Sequence, residues 1–214
     1  MDFLVRGFVG ALLELEIFFG ISTIMLKYFQ INFINKIAYY WLCFTILTGI
    51  WEMFYVIQHK AVVFMSNNLL VKKQHVWCKK YDIDMVFPWK LSRIFYAEYG
   101  AYADREYMTC KDNWSRIIEG THCLLCAIFS FFTIYYYNLD KLKYSLCLGI
   151  SMGSQLMNSI LYMGEYFIQT KNKDSVNFDS EAFPCGKLLL KRPFMWINIF
   201  WTIMPLYILT TNLL

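Results

Sequence analysis

Five stretches of about 20 mostly apolar residues dominate this chain, and polar side chains interrupt each of them. The stretches run over residues 7–28, 37–57, 116–137, 144–167 and 194–213. A helix needs about 20 apolar residues to cross the ~30 Å hydrocarbon core of a bilayer. The sequence therefore predicts an all-α, polytopic membrane protein, in which residues 1–214 form a single transmembrane domain built as a five-helix bundle.

The polar residues inside these stretches are the first candidates for function. They are Glu14 and Glu16, Glu52, Glu119 and His122, Gln155, Asn158 and Glu165, and Asn198. Ionisable groups in hydrocarbon are costly and rare, and they commonly face the bundle interior, where they mark a pathway or a site. We therefore expect an intramembrane ligand pocket. Because Glu14 and Glu16 point about 200° apart on a helix, only one of them should face the bundle.

Composition favours a membrane protein and argues against a nucleic-acid partner. Of the 214 residues, 58% are hydrophobic and 17% are charged, which would leave a soluble domain with much apolar surface in water. The net charge of +4 comes from Lys and Arg scattered among the connections, without a recognition motif. We expect membrane lipid around the protein and no bound nucleic acid.

The second connection, about residues 59–115, is long and mixes polar with aromatic residues. Within it, Phe87-Pro88-Trp89-Lys90 is typical of a turn at the membrane interface. Most Lys and Arg side chains fall on the membrane side that holds the N-terminus and connections two and four. The other side holds Lys27, Lys36, Lys141 and Lys143. The excess of positive charge predicts a cytoplasmic N-terminus.

Three polar residues share one face of the second stretch. Thr48, Glu52 and Tyr55 are spaced i, i+4 and i+7, so their side chains form one stripe on a helix. Gly49 beside this stripe would let a neighbouring helix or a flat ligand come close.

Glu119 and His122 are i, i+3 neighbours on the third stretch. With Glu52 on another helix, the two carboxyl groups have the chemistry of an acid and a base for proton transfer. The alternative is a pair of hydrogen bonds that holds the helices together, and a single His on an apolar helix is often such a core residue. Cys123-x-x-Cys126 has the spacing of a metal or redox pair, but buried packing is the commoner role on an apolar helix. We expect no metal site and no cofactor.

Several short stretches, in order along the chain, match the pattern of a known group of membrane proteins. Glu98-Tyr99 followed by Asp104-Arg105-Glu106-Tyr107 is similar to a Glu-Tyr and Asp-x-x-Tyr pair before the third helix, with one extra residue in between. Asp112-Asn113 and then Glu119 resemble an Asp-Asn pair and the Glu that follows it.

The last two stretches continue the pattern. Gln155 with Ile160-Leu161-Tyr162 is similar to the Gln and Val-Leu-Tyr of the fourth helix, and Glu165 lies one residue earlier than the Glu that closes that helix. Asn198-x-x-Trp201-x-x-x-Pro205 resembles the pattern of the last helix. The group is the emopamil-binding protein family, the sterol Δ8–Δ7 isomerases of the EXPERA-domain membrane proteins, which share their fold with the sigma-2 receptor. The resemblance covers about residues 45–206.

The resemblance implies a multi-pass protein of the endoplasmic reticulum membrane whose five helices enclose a pocket for a sterol. In these isomerases an acid protonates the C8–C9 alkene and a base removes a proton from C7, so the intermediate is a carbocation. Carboxylates and the face of a Trp ring stabilise such a charge. Cationic amphipathic amines mimic it and are expected inhibitors.

By this resemblance Glu52 and Glu119 are the proton-transfer pair, and His122 is the third candidate catalytic residue. The expected substrate-binding residues are Thr48, Tyr55, Gln155, Tyr162, Asn198 and Trp201. Thr48 is a departure, because the family carries a His there, and a hydroxyl group cannot shuttle protons as imidazole does. Either His122 supplies the missing imidazole from the third helix, or the chain has lost the reaction and kept the fold.

The sequence therefore predicts a sterol Δ8–Δ7 isomerase-like enzyme acting on a sterol or sterol-like lipid. The first alternative is a non-catalytic sterol-, lipid- or amine-binding protein of the same fold. The second is a small transporter whose ion path would use the carboxylates Glu14, Glu52, Glu119 and Glu165, although the paired repeats of many transporters are missing. The oligomeric state is open, a homodimer included, and the resemblance places the N-terminus in the lumen, opposite to the charge distribution.

Overall fold

A computed structural model of the chain describes residues 4–31, 35–105, 113–169 and 193–213. This part of the chain is mostly helical, as the sequence predicts. Its seven α-helices are α1 (Gly7–Tyr28), α2 (Lys36–Ile57), α3 (His59–Lys72), α4 (Pro88–Tyr102), α5 (Asn113–Tyr136), α6 (Lys141–Gln169) and α7 (Pro193–Asn212).

Each of the five apolar stretches coincides with one of the long helices α1, α2, α5, α6 and α7. Three of the described helices are long and apolar enough to cross a membrane: α1, α2, and α5 over Arg116–Tyr136. The remaining two, α6 and α7, have 29 and 20 residues, and at about 1.5 Å per residue their length suffices for a crossing. That these two helices also cross the membrane stays a prediction.

The second connection contains structure that the sequence pattern did not indicate. It forms α3 and α4, two short 3₁₀ turns, and a strand β2 (Lys80–Asp82) that pairs antiparallel with β1 (Leu4–Arg6). Pro88 is the first residue of α4, a position where its fixed φ and missing N–H are tolerated. The expected turn at Phe87–Lys90 is therefore the start of a helix.

Helices α2 and α5 approach each other closely at two glycines. A Cβ atom on Gly49 would lie 2.6 Å from Cβ of Ala127 and 2.8 Å from the carbonyl oxygen of Cys123. A Cβ atom on Gly120 would lie 2.7 Å from Cγ2 of Val56. The contact later in α2 pairs with the contact earlier in α5, so the two helices are antiparallel. The close approach of a neighbouring helix predicted at Gly49 is confirmed.

Helix α2 is the centre of the fold. A cluster of buried side chains joins its first half to α6 and α7, with Leu42 packing near Leu148 and Ile208. Another cluster joins its second half to α4, and it includes Trp51 and Leu91. These two clusters pack on the two halves of α2. Residues near the middle of α2 can therefore face a space between the helices.

Helix α1 docks on α2 through one of its two carboxylates. Glu14 is buried, and its Oε1 accepts a hydrogen bond of 2.9 Å from Nε1 of Trp51. Glu16 is exposed. The expectation that only one of the pair faces the bundle is confirmed, and Glu14 serves to hold α1 in place.

The close packing at Gly49 yields a stability prediction. Gly49→Ala should lower the free energy of unfolding by about 1–3 kcal/mol, because overpacking forces the helices apart. Gly153→Ala on α6 is the matched control, since a Cβ atom there meets nothing within 4 Å. Thermal unfolding in detergent would measure both. Equal melting temperatures for Gly49→Ala and Gly153→Ala would contradict the packing of α2 on α5.

Candidate functional site

A cavity of about 230 Å³ lies among α2, α4, α5, α6 and α7. It is several times larger than the roughly 30 Å³ share of one liquid water, so it has room for part of an organic ligand. Most of the surface of its wall is apolar, which is typical of small-molecule sites, although many of the lining residues also carry a polar atom. The polar and ionisable lining residues are Thr45, Thr48, Glu52, Tyr96, Tyr99, Glu119, His122, Cys123, Cys126, Gln155, Asn158, Ser159, Tyr162 and Asn198.

The cavity collects the candidate site residues from four helices. Those that line it are Thr48, Glu52, Glu119, His122, Gln155, Tyr162, Asn198 and Trp201. Tyr55 is the exception: its side chain is completely buried and stacks on Tyr96, with ring centroids 4.6 Å apart. Helix α4 covers the end of the polar stripe on α2, so Tyr55 supports the wall of the cavity from behind.

Glu52 is held by a tyrosine from the helix that the sequence pattern did not indicate. Its carboxyl group is buried, and the hydroxyl group of Tyr96 on α4 donates a hydrogen bond to Oε2. Burial, together with the charge of Glu52, raises the pKa of Tyr96 well above its usual range. Tyr96 therefore keeps its proton at neutral pH and remains a donor to the carboxyl group.

Glu119 and His122 line the cavity from α5, which packs against α2. The amide Nδ2 of Asn158 on α6 donates to Oε2 of Glu119 over 3.4 Å. Nε2 of His122 lies 3.7 Å from Sγ of Cys126. Cys123 also lines the cavity, and so does Glu52 on α2. Both carboxyl groups therefore face the same space from different helices.

Thr48 stands on the cavity wall, but its proton is directed to its own helix. Oγ1 of Thr48 lies 3.1 Å from the carbonyl oxygens of Phe44 and Thr45. Back-bonding of this kind is common for a Thr inside a helix. Toward the cavity the hydroxyl group can then act only as an acceptor, so no proton donor replaces the imidazole at this position.

An aromatic wall closes the cavity on the side of α7. Trp201 stacks on Phe44 with ring centroids 5.5 Å apart and an interplanar angle of 13°. Next to it, Nε1 of Trp41 donates to Oε1 of Gln155 over 2.8 Å. These contacts hold the indole rings in place, because each ring has a neighbour on more than one side.

Tyr162 links the cavity to the end of α4. Its hydroxyl group donates to Oδ2 of Asp104 over 2.7 Å, and it also contacts the hydroxyl group of Tyr99. Asp104 is 2% exposed, so this network lies inside the protein. Tyr99 and Asp104 belong to the two short motifs before α5 that resemble the family pattern. That resemblance could have predicted that both residues lie beside the site.

Asn198 carries a buried polar atom without a partner. Asn198 is among the residues that line the cavity, and its buried Nδ2 has no hydrogen-bond acceptor within the described residues. Leaving a buried donor unsatisfied costs about 1–3 kcal/mol. A ligand with an oxygen acceptor at this point would remove that cost.

Several candidate residues lie away from the cavity. Glu14 bonds to Trp51 and is not among the residues that line the cavity, and Glu165 is exposed. Only two carboxyl groups of the hypothetical ion path therefore line the cavity. Glu106, Tyr107 and Asp112, from the family-like motif, lie outside the described residues.

Cys123 and Cys126 are free thiols that line the cavity. In the part of the chain that the structure describes, no three His, Cys, Asp or Glu side chains come together in a way that could hold a metal ion.

The two asparagines of the cavity should respond in opposite ways to removal of the amide group. Asn198→Leu should stabilise the ligand-free protein, because it removes an unsatisfied buried donor. Asn158→Leu should destabilise it by about 1–3 kcal/mol, because it removes the donor to a carboxyl group. Thermal unfolding of the ligand-free protein compares them directly. Destabilisation by Asn198→Leu as large as that by Asn158→Leu would show that Asn198 has a partner.

Comparisons of the chain with models of known protein families, with curated proteins and with solved structures give no match. The family resemblance of the short motifs therefore stays a prediction. The function has to be argued from the cavity and the residues that face it.

Proposed function

We propose that this protein is a membrane enzyme of the endoplasmic reticulum that moves a steroid ring double bond from Δ8 to Δ7. The observation that carries the proposal is the placement of two carboxyl groups, Glu52 and Glu119, from different helices, on one largely apolar cavity beside Trp201. Proton transfer to and from a hydrocarbon ring needs an acid, a base and little water. The assignment to the endoplasmic reticulum rests on the family resemblance alone.

In the proposed reaction one carboxyl group donates a proton to the sterol and the other accepts a proton from it. Tyr96 donates a hydrogen bond to Glu52, which suits the carboxylate form and makes Glu52 the base. Glu119, as a neutral acid, donates its proton to C9 of the alkene, and the positive charge forms at C8. Glu52 then removes a proton from C7, and the electron pair of that C–H bond forms the C7–C8 double bond. No oxidant or second substrate is needed.

One turnover leaves the two carboxyl groups with exchanged protonation states. The proton taken up by Glu52 must leave, and Glu119 must be protonated again, before the next sterol reacts. His122 lines the same cavity, and an imidazole can accept a proton on one nitrogen while it donates from the other. Returning the proton is the role that we propose for His122, in place of the imidazole missing at Thr48.

The rest of the cavity suits the cationic intermediate and the sterol body. The π face of Trp201, held against Phe44, can stabilise a positive charge by about 0.5–2 kcal/mol. Nδ2 of Asn198 can donate to a sterol oxygen. Amphipathic amines, which carry a permanent positive charge on an apolar body, fit the same description and should compete with the sterol.

A non-catalytic binding protein is the second candidate, and one observation favours it. The hydroxyl group of Thr48 is directed to backbone oxygens of its own helix, so it offers no proton to a ligand in the cavity. In this version the cavity binds a sterol or an amine without converting it. Binding of amines is then common to both candidates, and turnover separates them.

Conservative variants of the carboxyl groups test the enzyme proposal. Glu52→Gln or Glu119→Gln keeps the shape but removes the titrating group, so turnover of a Δ8-sterol by purified protein should fall by about 10²–10⁴-fold. His122→Ala should reduce steady-state turnover strongly, whereas Thr48→His should preserve or raise it. Glu16→Gln is the matched control, since Glu16 is exposed on α1.

Thermal stabilisation by a cationic amphipathic amine provides the companion measurement, since a ligand that binds only the folded state raises the melting temperature. The Gln variants should still be stabilised by the amine. Background turnover in the wild type with normal amine binding would reject the enzyme and leave the binding protein. Full activity in Glu119→Gln would remove that residue from the mechanism.

A further inference from the structure

A second cavity, of about 720 Å³, lies where α2 ends and where α3, α4 and α5 begin. It shares no lining residue with the cavity that contains Glu52 and Glu119. Its ionisable lining residues are all basic: His59, Lys60, Lys90, Arg93 and Arg116. Among the described residues that line it there is no Asp or Glu, so the residues that line this basic cleft carry a net positive charge.

The basic cleft lies at the expected depth of the lipid headgroups. The apolar span of α2 ends at Ile57, and the apolar span of α5 begins at Arg116. Trp89, in the cleft wall, stacks on Phe87 with ring centroids 4.8 Å apart, and both rings are partly exposed. Exposed aromatic side chains at the ends of apolar spans are typical of the membrane–water interface.

The charges of the cleft are only partly compensated by the protein. Lys90 forms an ion pair with Asp84, which lies outside the cleft lining. Lys60 and Arg93 are exposed, and neither forms an ion pair with any residue that the structure describes. An anion in the cleft would therefore meet at least two cations that form no ion pair within the described part of the chain.

His59 adds a buried polar atom to the same wall. Its Nε2 is inaccessible to solvent and has no hydrogen-bond partner among the described residues. Burial first, and then the positive charge of Arg116, lowers the pKa of His59. An anion bound near Arg116 would offset the positive charge that lowers the pKa of His59.

We propose that the basic cleft binds a phosphate group at the membrane surface. A phosphate has enough acceptor oxygens to engage several donors at once, and the guanidinium group of Arg93 can bind it through two parallel hydrogen bonds. The phosphate can belong to the headgroup of an anionic lipid or be a free anion from solution. This site does not depend on the sterol isomerase proposal, because none of its residues faces the inner cavity.

Lipid nanodiscs that contain the full chain distinguish the sources of the phosphate. The discs are made of phosphatidylcholine alone, of phosphatidylcholine with phosphatidic acid, or of phosphatidylcholine with inorganic phosphate added to the buffer. Higher thermal stability in the second set identifies a lipid headgroup, and higher stability in the third identifies a free anion. Unchanged stability in both sets would overturn the proposal.

Charge-neutralising variants locate the effect. Arg93→Gln or Lys60→Gln should weaken the apparent affinity for the phosphate-bearing component about fivefold each, which corresponds to about 1 kcal/mol per charge near a membrane surface. Lys141→Gln, which removes the same charge from the start of α6, is the matched control and should leave the affinity unchanged. An equal loss in Lys141→Gln would mean that phosphate responds to net charge only, and the cleft would be rejected as its site.

Discussion

The close contact of α2 with α5 is the constraint on which the arrangement of the site depends. No Cβ atom fits at Gly49, because Ala127 and the backbone of Cys123 occupy that space. Gly120 makes the reciprocal contact with Val56. Since residues 49 and 56 of one helix meet residues 123–127 and 120 of the other, the register is set. It places Glu52 and Glu119 on adjoining walls of one space, which neither helix could achieve alone.

The sequence predicted the features that follow from strong local patterns. The five long helices were found because each carries a long, mostly apolar stretch, and the helical repeat alone separated Glu14 from Glu16. The second connection was harder, because α4 has 15 residues and no long apolar run. Tyr96, which donates to Glu52 from that helix, was therefore missed. For Tyr55 the repeat gave the correct face of α2, but it contains no information on which helix covers that face.

The structure combines an interior with few charges and a rim with many. Inside, polar atoms such as Nδ2 of Asn198 remain without a partner, which lowers the stability of the empty fold and suits a site that a ligand completes. At the rim, basic side chains gather where the apolar spans end. His59 lies between the two regions. Its ring centroid is 5.5 Å from that of Tyr55, which supports the wall of the inner cavity, and His59 also lines the basic cleft. Two sites with different ligands can therefore share one small bundle.

Deuterium transfer from solvent is the most direct measurement of the central claim, that two separate carboxyl groups add and remove protons. In the proposed mechanism the N–H protons of His122 exchange with solvent before His122 protonates Glu119 again, so a Δ8-sterol converted by purified protein in D₂O should acquire one deuterium at C9. The hydrogen lost from C7 should appear in the solvent. A Δ7 product that contains no solvent deuterium, or no Δ7 product at all, would contradict proton transfer by Glu52 and Glu119.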